Sequence, residues 1–170
     1  MINDALYAQA EDVVTRASEK GIKIAVAESC TGGLLGGALT AISGSSAVFD
    51  RGFVTYTNDA KEEMLGVLAA NLNFPGPGAV SDVVAKEMAT SALKHSNASI
   101  AVSITGIAGP NSDDTEKPVG LVYLGLALKG QPVESHKCQF DGLDRAGVRQ
   151  ASVIYALDLL GDAVERLDLG

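Results

Sequence analysis

The stretch Ile22-Lys23-Ile24-Ala25-Val26-Ala27-Glu28-Ser29-Cys30-Thr31-Gly32-Gly33 decides the fold class. Ile22 to Ala27 is a short, mainly apolar run of the length expected of a buried strand. Gly32 to Ile42 then returns to helical character. A buried strand that gives way at once to a helix is the repeating unit of an α/β layered domain. Working outward, Asp4 to Glu19 carries Leu6, Ala10, Val13, Val14 and Ala17 at helical spacing, and Gly21 stops that helix. Phe49 to Thr57 alternates well enough for a strand, and Asn58 can cap a helix running through Lys61 to about Leu65. The segment Asn71 to Gly78, with Pro75, Gly76, Pro77 and Gly78, is a loop. Ser81 caps a helix whose apolar positions are Val84, Ala85, Met88, Ala92 and Leu93. Ala98 to Ile104 is a second apolar strand, and Gly106 to Pro118 is a loop rich in Gly, Pro and Asp. Val119 to Leu128, a turn at Lys129-Gly130 and Val133 to Phe140 read as a hairpin, before a last helix over roughly Leu143 to Leu167. Strands alternating with helices predict one α/β domain over residues 1–170, and the hairpin makes its sheet mixed.

Composition agrees with a single compact unit. The 170 residues are 46% hydrophobic and 20% charged, an ordinary globular balance. The net charge is −8 and no stretch concentrates Lys and Arg, which excludes a nucleic-acid groove but leaves room for a small anionic ligand. The N-terminus lacks the basic region of a signal peptide, and no apolar run approaches the ~20 residues that cross a bilayer. No membrane partner is expected. Cys30 and Cys138 lack C-x-x-C spacing and read as free thiols of a cytoplasmic protein. His95 and His136 are far apart, read as surface residues and argue against a zinc site. Neither G-x-x-x-x-G-K-[ST], G-x-G-x-x-G nor G-x-S-x-G occurs.

Three constellations carry chemistry-bearing residues. Ala27 to Gly33 lies where a strand meets a helix, and helix-start N–H groups there favour an anion or a developing oxyanion. Ser29 is the exposed hydroxyl of that turn, unless it or Thr31 merely caps the helix. Cys30 is a rival nucleophile or an inert buried thiol. Glu28 either orients a ligand or is satisfied by the turn's own N–H groups. Gly32, Gly33, Gly36 and Gly37 suit close helix packing better than a phosphate cradle. In the second constellation, Arg51 to Lys61, Tyr56 falls at a strand end and Lys61 in the first turn of the next helix. The helix dipole and partial burial there would lower the pKa of Lys61 toward that of a base. A solvated lysine and a packing tyrosine are the plainer alternatives. In the third, Ser103 to Pro110, Thr105 and the N–H of Gly106 form part of an anion pocket or simply a tight turn. Arg145 and Arg149, one helical turn apart, face either a ligand phosphate or Asp141 and Asp144.

Taken together, the blocks AESCTGG (27–33), GSSAVFDRGFVTYTNDAK (44–61), GAVS (78–81), SITGIAGP (103–110) and KPVG (117–120) resemble the CinA C-terminal family, nearly from the first helix to the last. Within it the chain is most similar to the stand-alone nicotinamide-nucleotide amidases. The resemblance implies a three-layer α/β/α domain that hydrolyses the carboxamide of nicotinamide mononucleotide without metal or cofactor. It implies Ser29 as nucleophile with Tyr56 and Lys61 handling protons. Glu28, Cys30, Thr31, Gly32, Ser46, Thr105 and Gly106 would line the substrate pocket, with Arg145 and Arg149 at the phosphate. Ser46, Thr105 and water stay open as other nucleophiles. A homo-oligomer is expected by the same analogy. A regulatory nucleotide-binding module without turnover, or an amidase for another small amide, is the alternative.

Overall fold

Glycine, Asn, Ser and Thr residues punctuate the chain into six helices and five strands, described in a computed structural model for residues 2–167. In order these are α1 (Asp4–Lys20), β1 (Ile24–Glu28), α2 (Leu34–Thr40), a 3-10 turn (Ser45–Ala47), β2 (Phe49–Val54), α3 (Asn58–Leu65), α4 (Ala69–Leu72), α5 (Asp82–Lys94), β3 (Ile100–Gly106), β4 (Leu121–Leu128), β5 (Glu134–Gln139) and α6 (Arg145–Arg166). Asn3 caps α1 by accepting the N–H of Leu6 at 2.9 Å, and Gly21 ends it at φ +66°. Ser81 caps α5 and Asp144 caps α6 in the same way.

The sheet runs β2-β1-β3-β4-β5, with β1 parallel to both neighbours and β4 antiparallel to β3 and β5. This is the mixed, open sheet of a three-layer α/β domain. The alternation along the strands sorts its faces. Ile24 and Val26 join the larger core with α1, α2 and α6, whereas Ala25 and Ala27 meet the helices α3 to α5 on the other side. Small residues on that second face let α5 approach closely. A Cβ on Gly125 of β4 would lie 2.2 Å from the Ala85 carbonyl oxygen of α5. Ser103, opposite Gly125 on β3, uses the gap by donating its hydroxyl to that carbonyl at 2.6 Å.

Several sequence-based boundaries shift. Thr57, not Asn58, caps α3, its hydroxyl accepting the N–H of Ala60 at 3.0 Å, because β2 ends at Val54 and the chain turns earlier than the alternation suggests. The second helix starts at Leu34, since Gly32 (φ +56°) and Gly33 (φ +101°) shape the turn before it. Of the glycines assigned to helix packing, Gly36 lies against Phe49, Glu28 and Val26, Gly33 against Val54 and Gly32 against Arg149, whereas Gly37 has no neighbour close to where a Cβ would sit. The short α4 (Ala69–Leu72) starts in the stretch before Asn71 to which the sequence assigns no element, and takes in the first two residues of the expected loop. His95 is exposed as expected, but His136 is half-buried against Tyr155 and Glu134.

The close contact of α5 with the sheet has a direct test. Gly125→Ala should destabilise the fold by about 3 kcal/mol, through overpacking against a backbone carbonyl that cannot move aside. Urea unfolding at constant m-value measures it, and an unchanged midpoint would contradict the packing.

Candidate active site

β1 and β3 are neighbours, but the chain leaves β1 toward β2 on one side and returns to β3 on the other. A crevice opens outside their carboxyl ends at such a switch point. Ser29 follows β1 there, and its N–H donates to the Ile104 carbonyl of β3 at 2.9 Å. The cleft has a volume of about 430 Å3, and Ser29, Lys61, Tyr56, Thr105, Gly106 and Arg145 all face it. Its outer wall is the loop that follows β3.

Lys61 occupies the first turn of α3 and is only 2% exposed. Its Nζ lies 2.9 Å from Ser29 Oγ, 2.9 Å from the Thr55 carbonyl oxygen and 3.3 Å from the Tyr56 carbonyl oxygen. No carboxylate among the described residues bonds it. Burial therefore lowers its pKa to about 8, against the opposing influence of Cys30. The two carbonyls accept only, so they hold two N–H bonds of the amine. Once the third proton leaves, the lone pair points at the Ser29 hydroxyl, which can then donate to it. The arrangement is a hydroxyl paired with a base that is part neutral near physiological pH.

The remaining candidates fall into distinct positions. Cys30 is buried beside Ser29, and burial pushes its thiol up to about 11, so it stays protonated and unreactive. Glu28 is 1% exposed and accepts the N–H groups of Leu35 at 2.8 Å and Gly36 at 3.0 Å. Its carboxylate thus caps α2 and does not line the cleft. The Thr31 hydroxyl is buried with no hydrogen-bond partner among the described residues, as is that of Thr55. Thr105 donates its hydroxyl to the Ala79 carbonyl at 2.8 Å. Ser46 is exposed in the 3-10 turn before β2, at the opposite end of the sheet from Ser29, so this chain does not bring it to the cleft. Arg145 donates to Tyr56 Oη at 2.7 Å and to the Gly109 carbonyl at 2.7 Å, bridging two walls. Arg149 donates to the carbonyls of Cys30 at 3.1 Å and Thr31 at 3.3 Å, bracing the Ser29 turn from behind. Neither arginine pairs with Asp141 or Asp144, which serve Gln139 and the α6 cap.

Sequence reasoning missed the two carbonyls that hold the Lys61 amine and the bridge made by Arg145. Backbone acceptors leave no mark in side-chain identity. The only local hint was a threonine N-cap that forces the chain to turn between Tyr56 and Lys61. Among the described residues no three His, Cys, Asp or Glu side chains converge as a metal-binding group, and no helix is long and apolar enough to cross a membrane.

Comparison with known proteins places this cleft in a family. A nicotinamide-nucleotide amidohydrolase PncC from Enterobacter agglomerans is 51% identical over 138 residues, covering 81% of this chain and 82% of that protein. A putative competence-damage inducible protein from Caldicellulosiruptor saccharolyticus is 52% identical over 151 residues, or 88% of this chain but only 36% of that longer protein. The crystal structure of the competence/damage inducible protein CihA from Agrobacterium tumefaciens superposes with a TM-score of 0.91 at 45% identity, covering 98% of this chain and 99% of that one. The model of the CinA C-terminal domain matches residues 6–164, and the chain belongs to that family.

Proposed function

We propose that the chain hydrolyses the carboxamide of nicotinamide mononucleotide, giving nicotinate mononucleotide and ammonia, with Ser29 as nucleophile and Lys61 as its base. The observation that carries this reading is the 2.9 Å contact between Ser29 Oγ and a buried amine that lacks a carboxylate partner. The PncC relative supplies the substrate class.

Neutral Lys61 takes the Ser29 proton directly, so no relay through Tyr56 is required. Ser29 Oγ attacks the carboxamide carbon and the carbonyl π electrons move to oxygen. The Ser29 N–H is committed to Ile104. The oxyanion therefore falls to later amides of the turn, Cys30 and Thr31, or to those of the loop after Gly106. Protonated Lys61 returns its proton to the departing nitrogen, the C–N bond breaks and ammonia leaves. Water then cleaves the acyl ester with Lys61 again as base, restoring the Ser29 hydroxyl. Tyr56 Oη, held by Arg145, contributes a hydrogen bond at the cleft mouth, and Arg145 is the cation available to the phosphate. Thr31, Gly32, Thr105 and Gly106 act on the pocket through its shape and backbone. A cytoplasmic setting suits this substrate and the two free thiols. Exposed Leu68 and Phe74 are consistent with a homo-oligomer.

After chelator treatment, ammonia release from nicotinamide mononucleotide should survive in the unmodified chain. It should fall by about a thousandfold in both Ser29→Ala and Lys61→Ala. Full activity in Ser29→Ala would assign the attack to water activated by Lys61. Nucleotide binding with no ammonia from the unmodified chain would favour a regulatory module.

The pH profile provides a separate check. Only the neutral amine can accept the Ser29 proton, so kcat/KM should rise with pH and level off above about 8, the lowered pKa of Lys61. A profile that is flat from pH 6 to 10 would remove Lys61 as the base.

A further inference from the structure

The segment Gly78 to Val80 forms one wall of the cleft, and together with Pro77 it belongs to no helix or strand. Side chains nevertheless hold all four carbonyls from Pro77 to Val80. Lys117 Nζ donates to the Pro77 carbonyl and, at 2.7 Å, to that of Val80. Ser81 Oγ donates to Gly78 O at 2.7 Å, and Thr105 Oγ1 to Ala79 O at 2.8 Å. Among the described residues Lys117 forms no salt bridge, and its ammonium donates to backbone carbonyls. It also comes within 3.4 Å of where a Gly78 Cβ would sit.

This restraint has a consequence for the opposite side of the chain. In a trans peptide the N–H points away from its own carbonyl. Drawing the Gly78 and Ala79 carbonyls toward Ser81 and Thr105 therefore turns the N–H groups of Ala79 and Val80 the other way. Neither N–H has an acceptor among the described residues, although that of Gly78 donates to Asn71 O at 2.8 Å. Val80 is 6% exposed, and unpaired donors in such a place are rare unless something else supplies the acceptor.

We propose that Lys117 is a positioning residue that, with Thr105 and Ser81, fixes the 77–80 backbone so that the N–H groups of Ala79 and Val80 serve as donors for oxygen atoms of the substrate's nicotinamide riboside portion. Lys117 does not itself touch the substrate. It acts by tying the loop after β3 to the loop before α5, so that both walls keep one spacing. The inference rests on the amidase reading given above, and ammonia release by the unmodified chain is the control that separates the two.

The experiment compares Lys117→Met and Lys117→Arg with the unmodified chain. Lys117→Met keeps the length of the side chain but donates no hydrogen bond. The expected result is a KM for nicotinamide mononucleotide raised about tenfold, kcat within about threefold and the pH profile unshifted. Lys117→Arg, which can also donate to two carbonyls, should restore most of the KM. The inhibition constant of inorganic phosphate, a probe of the phosphate end alone, should stay unchanged in Lys117→Met. An unchanged KM would overturn the proposal. So would a phosphate inhibition constant that rises in step with KM, because Lys117 would then bind the phosphate directly. A lowered melting temperature with intact KM and kcat would reduce Lys117 to a structural tie.

Discussion

A primary amine buried with no carboxylate bonded to it among the described residues is the constraint around which the rest of the fold is arranged. Removing Lys61 from water disfavours its charged form; Cys30 opposes this only in part, and no carboxylate among the described residues bonds the amine. A carboxylate beside the amine would hold it protonated and leave Ser29 facing a donor rather than an acceptor. The one acid of the turn, Glu28, is instead fixed on the N-terminus of α2 by two backbone N–H groups. Its charge there complements the helix dipole and is kept from the amine. The Thr55 and Tyr56 carbonyls supply the polar contacts the amine requires without neutralising it.

These positions follow from topology. Ser29 can meet Lys61 because β1 and β2 are parallel neighbours, with Glu28 in register with Val54. One strand then ends just before Ser29 while the other turns into α3. The N–H of Thr55 donates to the Glu28 carbonyl at 2.9 Å, continuing the ladder one step past the strand end and locking the two turns together. The cap at Thr57 sets the phase of α3, which places Lys61 on its inward face. Arg149 closes the arrangement from α6 by holding the carbonyls of the Ser29 turn.

Much of this was legible in the sequence, and the exceptions share a cause. Apolar runs located β1 and β3, because strands buried on both faces leave little choice of side chain. Ser29 and Lys61 stood out because each occupies the junction of a strand and a helix. Local pattern could not say that Glu28 faces α2, or that Ser46 lies at the far end of the sheet. Those facts depend on the direction in which the chain leaves β1. It also could not say that Arg149 is occupied by carbonyls, since its partners at 30 and 31 are more than a hundred residues away. The cap at Thr57 was displaced by one residue, because Thr57 and Asn58 are both good caps and strand length decides between them.

The same distinction between side chain and backbone explains why the cleft reads weakly as a motif. Thr105, Ser81, Lys117, Arg145 and Arg149 all direct at least one hydrogen bond at a main-chain carbonyl. Such bonds shape loops that have no regular hydrogen bonding of their own, and loops following parallel strands need that help to present a fixed surface. Arg145 differs from the others in being exposed and in sharing its guanidinium with a phenol. A phosphate is a stronger acceptor than either a phenol or a carbonyl. An arriving anion could therefore draw Arg145 from Tyr56 and free that hydroxyl at the cleft mouth, while the buried Ser29–Lys61 pair remained as it is.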